Sequence, residues 1–336
     1  MQQKNNSLMS LNNIKPIFIT GVYRSGTTLI SRILNNHPDL SVTYDSVHFM
    51  RLCVNKFDPI NNESNYRKLV DEVKERVKSR LELNLDTEKI INEIKNSEKI
   101  DYAQIYDIIM SNLLLKDSNT RIWGDKANLC WRKIPEFLDM FPEGKAIIII
   151  RDPRDVLVSY KNMTTEPGLR YLDSIFASLD SLQYIQKFKE EFSSSNFYFI
   201  KYENLVNEQE KTINEICKFL EIEFDSIMLD GSQFKDKLGK TWKGDFTSLE
   251  TIEEISNKTV GRWRNRISKI ELYLIEMVLR EKMIDFGYDL SATPLEKKEW
   301  DELFEILNDD FIKIRYLSWL KTGRGHQKYP NQSLTS

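Results

Sequence analysis

The sequence predicts an α/β fold in which helices flank a central parallel sheet. Three short apolar runs carry this prediction, at residues 16–20, 146–150 and 196–200. Each run is followed by a segment with helical periodicity. Strands that alternate with helices are typical of parallel sheets, because a helix supplies the crossover between neighbouring strands.

The first half of the chain contains a long helical insertion. Residues 1–13 are polar and are expected to be flexible, and a helix is predicted at residues 27–36. Helical periodicity follows at about residues 65–84 and 87–115. These two helices are predicted to form a lobe at about residues 60–118, whose aromatic and methionine side chains belong to its core.

The second half continues the alternation of strands and helices. A short strand is predicted at residues 121–125, and helices are predicted from residue 156 onwards and at about residues 208–220. The main domain is expected to span residues 14–290. Residues 291–336 then form a helical extension with a polar tail.

The composition excludes several classes of protein. Hydrophobic residues make up 40% of the 336 residues, which argues against global disorder, and the net charge of −3 argues against a nucleic-acid binder. No apolar run is long enough for membrane insertion, and no secretory signal is recognisable. The scattered cysteines Cys53, Cys130 and Cys217 indicate reduced thiols, so a soluble, cytoplasmic protein is expected.

A glycine loop follows the first strand. Gly21 and Gly26 are separated by four residues, and Thr27 and Thr28 open the next helix. Backbone N–H groups at a helix N-terminus bind anions, and the threonine hydroxyls and Arg24 can add contacts to a phosphate. A plain strand-to-helix turn is the alternative interpretation.

The loop departs from the pattern of ATP-dependent P-loop enzymes. Those enzymes have a lysine directly after the second glycine, but this chain has Thr27 there and carries its cation earlier, as Arg24. A Mg²⁺-dependent phosphotransferase therefore fits less well, although a P-loop kinase and a non-catalytic nucleotide-binding protein remain alternatives.

A second candidate anion site follows the isoleucine-rich run. Arg151 comes directly after the predicted strand, and Ser159 lies eight residues further on in the next helix. Ligands of parallel sheets bind at the carboxyl ends of the strands, so both side chains can reach one phosphate. The alternative is a surface ion-pair network of Arg151, Asp152, Arg154 and Asp155.

Four segments in this order resemble motifs of the PAPS-dependent sulfotransferases, where PAPS is 3′-phosphoadenosine 5′-phosphosulfate. They are FITGVYRSGTT at 18–28, IIIIRDPRDVLVSY at 147–160, KYENL at 201–205 and VGRWRN at 260–265. The resemblance extends over about residues 17–288 and implies the P-loop-like fold of that family. The first two motifs are specific, and the last two support them.

The resemblance also implies a set of nucleotide contacts. The glycine loop would hold the 5′-phosphate, Arg151 and Ser159 the 3′-phosphate, and Tyr202 would lie near adenine. A loop before the fourth motif would close over the nucleotide. The implied nucleotide-binding residues are Arg24, Ser25, Gly26, Thr27, Thr28, Arg151, Ser159, Tyr202, Ser256, Lys258, Gly261 and Arg262.

The chain differs from many cytosolic members of that family in two places. Those members have a lysine in the glycine loop and a catalytic histidine two residues after a second family lysine. Here the loop carries Arg24, and Asn128 follows Lys126 at the histidine position. The loop is more similar to the tyrosylprotein branch and related bacterial enzymes, in which a carboxylate after a His-Pro turn is the base; Asp45 occupies a similar place here.

These comparisons assign the catalytic roles. Asp45 is the expected general base, and His48 is the competing candidate because imidazole titrates near neutral pH. Arg24 and Lys126 are expected to stabilise charge on the leaving phosphate and the sulfuryl oxygens. Alternatively, Asp45 is a solvated carboxylate, His48 a core side chain, and Lys126 a surface partner of Asp125. No metal site is expected.

The acceptor is expected to be a small molecule with a hydroxyl group. A polar metabolite or natural-product alcohol is favoured over a carbohydrate, a phenol or steroid, and a peptide tyrosine, in that order. The products would be the sulfated acceptor and 3′,5′-ADP. The sequence does not indicate an oligomeric state.

Overall fold

The computed structural model describes residues 15–43, 47–115, 122–163, 168–192, 194–235 and 255–322. Its centre is a five-stranded parallel sheet with the strand order β2-β3-β1-β4-β5. The strands are β1 (Ile17–Gly21), β2 (Leu40–Val42), β3 (Ile122–Lys126), β4 (Lys145–Ile150) and β5 (Phe197–Lys201).

The helices flank this sheet. In chain order they are α1 (Thr27–Asn35), α2 (Phe49–Leu52), α3 (Glu63–Arg76), α4 (Thr87–Lys95), α5 (Tyr102–Leu114), α6 (Ile134–Met140), α7 (Pro153–Met163), α8 (Asp173–Glu191), α9 (Tyr202–Asn207), α10 (Gln209–Leu220), α11 (Lys269–Asp285), α12 (Lys297–Asn308) and α13 (Asp310–Thr322).

The two central strands are covered on both faces. Every residue of β1 and β4 is buried, which explains why these strands are apolar runs without alternation. Phe18 packs in the cluster that includes α3–α5, whereas Ile17 and Ile19 pack against α1 and α10 on the opposite face. The predicted α/β fold with a central parallel sheet is therefore confirmed.

The register of the strands positions the two sequence motifs. Gly21 at the end of β1 lies beside Ile149 in β4, so the glycine loop and the segment that begins at Arg151 emerge side by side. On the other side of β1, Ile19 lies beside Lys126 at the end of β3. The carboxyl edge of the sheet thus gathers the candidate site residues of three strands.

The helical insertion differs from the sequence prediction. The single helix predicted at 87–115 is two helices, α4 and α5, because the Asp101 side chain accepts a hydrogen bond from Gln104 N and starts a new helix. The helix predicted at 65–84 ends as α3, and a π-helical turn follows at Val77–Leu81. Tyr66, Tyr102, Tyr106 and Met110 are buried, which confirms that the lobe's aromatic side chains form core.

Strand β2 and helices α8 and α11 are among the elements that were not predicted. Strand β2 has only three residues, too few for a recognisable pattern, and helices α8 and α11 have weak amphipathic periodicity. Helix α7 begins at Pro153, three residues earlier than predicted, because proline suits the first position of a helix.

Candidate active site

The glycine loop connects β1 to α1 through two residues in the left-handed region. Arg24 has φ 71° and Gly26 has φ 103°. The backbone N–H and the hydroxyl of Ser25 both donate to the carbonyl of Val22, at 3.1 and 2.7 Å, and close the turn. The buried Ser25 therefore stabilises the loop itself.

Gly26 leaves no room for a side chain. A Cβ atom at this position would lie 2.5 Å from Cδ2 of Tyr202 and 3.1 Å from Cδ1 of Ile149. The first N–H groups of a helix lack an intrahelical partner. Gly26, the N-cap of α1, has no side chain that could accept hydrogen bonds from them. The start of α1, with the buried Thr27 and the half-buried Thr28, has the donors that an anion requires.

The guanidinium of Arg151 links the second motif to this loop. Its Nη1 donates to the carbonyl of Arg24 at 3.2 Å, and its Nη2 donates to the carbonyl of Thr259. The guanidinium also lies over the ring of Tyr202, 4.5 Å from the ring centroid. In the opposite direction, Nε of Arg24 donates to the hydroxyl of Ser159 at 2.9 Å. The two candidate anion sites are therefore direct neighbours.

The alternative of a surface ion-pair network is wrong for the second motif. The side chains of Arg151, Asp152, Arg154 and Asp155 are all buried. Arg154 bonds to Asp152 and Glu276, and its guanidinium lies 3.9 Å from the ring centroid of Trp263. Charges in such a buried network need partners on every side, which fixes the start of α7 against α11.

The segment after residue 254 approaches the nucleotide motifs from the C-terminal part of the chain. Thr259 shares a 2.7 Å hydrogen bond with the hydroxyl of Tyr202. The carboxylate of Asp155 accepts the N–H groups of Gly261 and Trp263, at 2.7 and 2.9 Å. Burial raises the pKa of Asp155, against the opposing influence of the Arg151 charge.

The other residues of this segment differ in exposure. Lys258 and Arg262 are exposed, and Nε of Arg262 donates to the carbonyl of Lys258 at 3.0 Å. Ser256 is half-buried, and its hydroxyl accepts the N–H of Lys258. Trp263 is buried under Arg154 and packs in the fold.

The candidate cation Lys126 is buried at the end of β3. The alternative of a surface pair between Lys126 and Asp125 is wrong, because both residues are buried. The carboxylate of Asp125 accepts hydrogen bonds from the hydroxyls of Thr43, at 3.1 Å, and Tyr106, at 2.6 Å. Lys126 thus lies at the meeting point of the sheet and the helical insertion.

Of the two candidate bases, the structure describes His48 but not Asp45. His48 is 9% exposed and has φ 53° at the start of α2, directly before the buried Phe49. Asp45 lies outside the described residues. The geometry therefore leaves the choice between the two residues open.

Several residues at the site were not predicted from the sequence. Thr259 contacts both Arg151 and Tyr202, and Tyr106 and Thr43 share the carboxylate of Asp125. These pairs are separated by many residues along the chain, and no local pattern connects them. The sequence shows Asp155 four residues after Arg151. It does not show that the Asp155 carboxylate accepts hydrogen bonds from the distant turn that contains Gly261 and Trp263.

Two features are absent from the residues that the structure describes, a metal site and a membrane-spanning helix. Within the part of the chain that the structure describes, no group of His, Cys, Asp or Glu is placed to hold a metal ion. Of the helices in those same ranges, none combines the length and apolarity needed to cross a bilayer.

The fold and the site together define a class of protein. A parallel sheet with a glycine loop and a neighbouring buried arginine at its carboxyl edge is typical of an enzyme that binds a phosphorylated nucleotide. The arrangement suits a ligand with two separate anionic groups. The model of the sulfotransferase family matches residues 16–226, more than half of the chain, so this protein belongs to that family.

Individual relatives agree with this assignment at low identity. Protein-tyrosine sulfotransferase A of Caenorhabditis elegans is 24% identical over 311 residues, which cover 88% of this chain and 73% of that protein. A sulfotransferase domain from the curacin biosynthetic pathway has the same fold, with a TM-score of 0.56 and 19% identity over 83% of this chain and 99% of that domain. The sulfotransferase domain of the Synechococcus PCC 7002 olefin synthase also has this fold, with a TM-score of 0.54 and 18% identity. The match covers 83% of this chain and 98% of that domain.

Family membership decides the class of reaction. The protein is an enzyme that transfers a sulfuryl group from PAPS to the hydroxyl of an acceptor. This assignment replaces the two alternatives that the sequence left open, an ATP-dependent kinase and a non-catalytic nucleotide-binding protein.

Proposed function

We propose that this sulfotransferase sulfates a hydroxyl group of a small polar metabolite or natural product and releases 3′,5′-ADP. The observation that carries the nucleotide part is the direct contact between the two motifs, in which Arg151 donates to the Arg24 carbonyl and Arg24 donates to Ser159. One doubly phosphorylated adenosine can reach both motifs across this short distance.

The described residues support the assignment of different side chains to different parts of the nucleotide. The start of α1 offers N–H groups and the hydroxyls of Thr27 and Thr28 to the 5′-phosphate, with Arg24 beside them. Arg151 and Ser159 are assigned to the 3′-phosphate. Tyr202, which packs against Gly26 and Arg151, is assigned to the adenine side.

The C-terminal segment is assigned to the outer side of the nucleotide. Lys258 and Arg262 are exposed cations close to Thr259, which itself contacts Arg151. Ser256 and Gly261 belong to the same segment, and Asp155 anchors it through the N–H of Gly261. Exposed cations in such a position can turn towards a phosphate when the nucleotide binds.

The chemistry needs a base, charge stabilisation and alignment of the reacting groups. PAPS supplies the sulfuryl group. The acceptor oxygen forms a bond to sulfur while the bond from sulfur to the 5′-phosphate oxygen breaks, and the hydroxyl proton passes to the base. Arg24 and the buried Lys126 are assigned to the charge that develops on the phosphate and sulfuryl oxygens.

Asp45 is proposed as the general base, with His48 as the competing candidate. The variant Asp45→Asn should lower turnover by about a hundredfold or more, because the acceptor proton then has no carboxylate to receive it. Binding of 3′,5′-ADP should persist. If His48→Asn shows the larger loss of turnover and Asp45→Asn shows none, His48 is the base.

The nucleotide assignment is tested by ligand-induced thermal stabilisation. Added 3′,5′-ADP should raise the unfolding temperature in the presence of EDTA, because a ligand that binds only the folded state stabilises it. Arg151→Ala should weaken this binding by about 2–3 kcal/mol through the loss of a charge-assisted contact, whereas the exposed Arg280→Ala should leave it unchanged. Stabilisation by ATP with Mg²⁺ alone would contradict the assignment.

The proposed choice of acceptor rests on the cysteines and on the relatives of the chain. In the described residues Cys53, Cys130 and Cys217 are buried thiols outside any disulfide, which is typical of a reducing, cytoplasmic environment where metabolites are available acceptors. The similarity to a protein-tyrosine sulfotransferase favours peptide tyrosine as a second candidate. Labelled donor offered to alcohols, carbohydrates, phenols, steroids and tyrosine peptides separates them, and turnover of peptides alone would overturn the small-molecule assignment.

A further inference from the structure

A buried carboxylate lies next to the candidate cation of the site. Asp125 is 0% exposed and directly precedes Lys126 at the end of β3. The hydroxyls of Thr43 and Tyr106 donate to its two oxygens, at 3.1 and 2.6 Å. Because a buried carboxylate is costly without hydrogen bonds, these two donors hold Asp125 in one position.

Thr43 is held from three directions. Its backbone N–H donates to the carbonyl of Gly124 at 3.0 Å, and its hydroxyl donates to Asp125. The same hydroxyl accepts the backbone N–H of Lys126 at 2.9 Å. The end of β2 and the backbone of Lys126 are therefore fixed relative to each other by one side chain.

Tyr106 extends this connection to the start of α2. Its ring stacks on Phe49 with 4.2 Å between centroids and an angle of 5° between the planes. Phe49 directly follows His48, one of the two candidate bases. One buried side chain of α5 thus touches Asp125 through its hydroxyl and the start of α2 through its ring.

We propose that the hydrogen-bonded pair of Tyr106 and Asp125, completed by Thr43, is a positioning device for sulfuryl transfer. It sets the distance between Lys126, on the nucleotide side, and the start of α2, where the candidate base His48 lies, on the acceptor side. This inference rests on the proposed function, because it assumes that Lys126 serves the transferring group. Displacement of catalytic groups by about 1 Å can cost about a hundredfold in rate.

The test removes the hydroxyl groups and keeps the packing. Tyr106→Phe retains the ring and its stacking on Phe49, and Thr43→Val retains the shape of threonine. Each variant should lower kcat by about tenfold or more and leave the Kd for 3′,5′-ADP within about twofold, because the nucleotide motifs are untouched. Thr43→Ser keeps the hydroxyl and should retain kcat within about twofold of the wild type.

A matched control is available elsewhere in the chain. The hydroxyl of Tyr171 donates to the carboxylate of Glu271 at 2.6 Å, so Tyr171→Phe removes the same kind of bond at the same distance. This variant should lose stability and keep kcat. All turnover measurements are made well below the unfolding temperature of each variant, so that loss of folded protein does not contribute.

The outcomes separate the two proposals. Full kcat in Tyr106→Phe and Thr43→Val, with lower unfolding temperatures only, would overturn the positioning role and leave a purely structural one. If Tyr106→Phe does not fold, the comparison of Thr43→Val with Thr43→Ser decides the question. Failure of the wild-type protein to bind 3′,5′-ADP would instead remove the proposed function, and this inference with it.

Discussion

Individual residues of the glycine loop are constrained by backbone geometry and by neighbouring side chains together. Gly26 needs its left-handed φ of 103° to start α1, and the ring of Tyr202 occupies the space where its Cβ would lie. That ring is held by the Thr259 hydroxyl and by the guanidinium of Arg151. The loop therefore depends on contacts from three distant parts of the chain.

The variant Gly26→Ala tests this constraint. Its Cβ would lie 2.5 Å from the Tyr202 ring, so the free energy of unfolding should fall by about 1–3 kcal/mol more than positive-φ strain alone explains. Gly168→Ala is the matched control, because Gly168 has φ 81° and, apart from its chain neighbours, no atom of the described residues lies within 4 Å of the added Cβ. Urea unfolding of both variants measures the difference in the free energy of unfolding. Equal losses of that free energy would show that the Tyr202 ring moves aside without destabilising the fold.

At the scale of elements, an ion pair joins the beginning of β4 to the end of α10. Nζ of Lys145 donates to the carbonyl of Ser195 and to the carboxylate of Glu221, both at 2.7 Å. Hydrogen bonds from Lys145 and then Lys15 lower the pKa of Glu221 to about 2. Lys145 is buried while Glu221 is half exposed, so the pair lies at the protein surface, beside the amino end of β4.

This ion pair predicts a pH dependence of stability. The pKa of Glu221 is lower in the folded protein than its ordinary value of 4.5, so its contribution is present above about pH 4.5 and is lost as the pH falls towards 2. Glu221→Gln should therefore lower the free energy of unfolding near neutral pH by about 1 kcal/mol or less, since solvent screens the exposed carboxylate. As the pH falls below about 2, where the carboxyl group is protonated in both states, the variant and the wild type should become equally stable.

Denaturant unfolding at both pH values measures this effect. Glu208→Gln is the control, because the Glu208 carboxylate pairs with the exposed Lys211, three residues further along the chain. A loss in Glu221→Gln that persisted at the acid end would contradict the mechanism.

At the scale of the whole molecule, the buried Trp319 is one of several side chains through which the C-terminal helices contact the rest of the chain. Trp319 in α13 stacks on Trp131 with 5.9 Å between centroids, and its Nε1 donates to the carboxylate of Asp173 at 2.6 Å. Its carbonyl accepts a hydrogen bond from Arg132. Burial raises the pKa of Asp173, and Arg315 opposes that change. The final helix is thus tied to residues that lie far before it in the chain.

Removal of this side chain should destabilise the whole fold. Trp319→Ala should lower the free energy of unfolding by about 3–5 kcal/mol, because it deletes a buried aromatic ring and leaves a cavity. Leu320→Ala, at the neighbouring and exposed position, should change it by about 0.5 kcal/mol or less. Chemical unfolding monitored by circular dichroism checks both values, and similar losses would show that α13 is not part of the cooperative unit.

Much of the site could be predicted because its signals are local. The glycine spacing, the arginine after an apolar strand and the order of strands and helices all lie within short stretches of sequence. Catalytic roles were harder to assign, since Asp45 and His48 are close in sequence and each has a chemical argument. Helices α8 and α11 were not predicted because their apolar residues show only weak amphipathic periodicity.

The sequence by itself determined the strand, glycine loop and helix order, the two candidate anion-binding motifs and the family they indicate. These features depend on neighbours within a few residues, so local patterns encode them. Only the tertiary structure decided that the charges after Arg151 are buried, that Thr259 meets Arg151 and Tyr202, and that Tyr106 shares Asp125 with Thr43. Each of these contacts joins residues far apart in the chain, and the register of the sheet and the packing of helices across it bring them together.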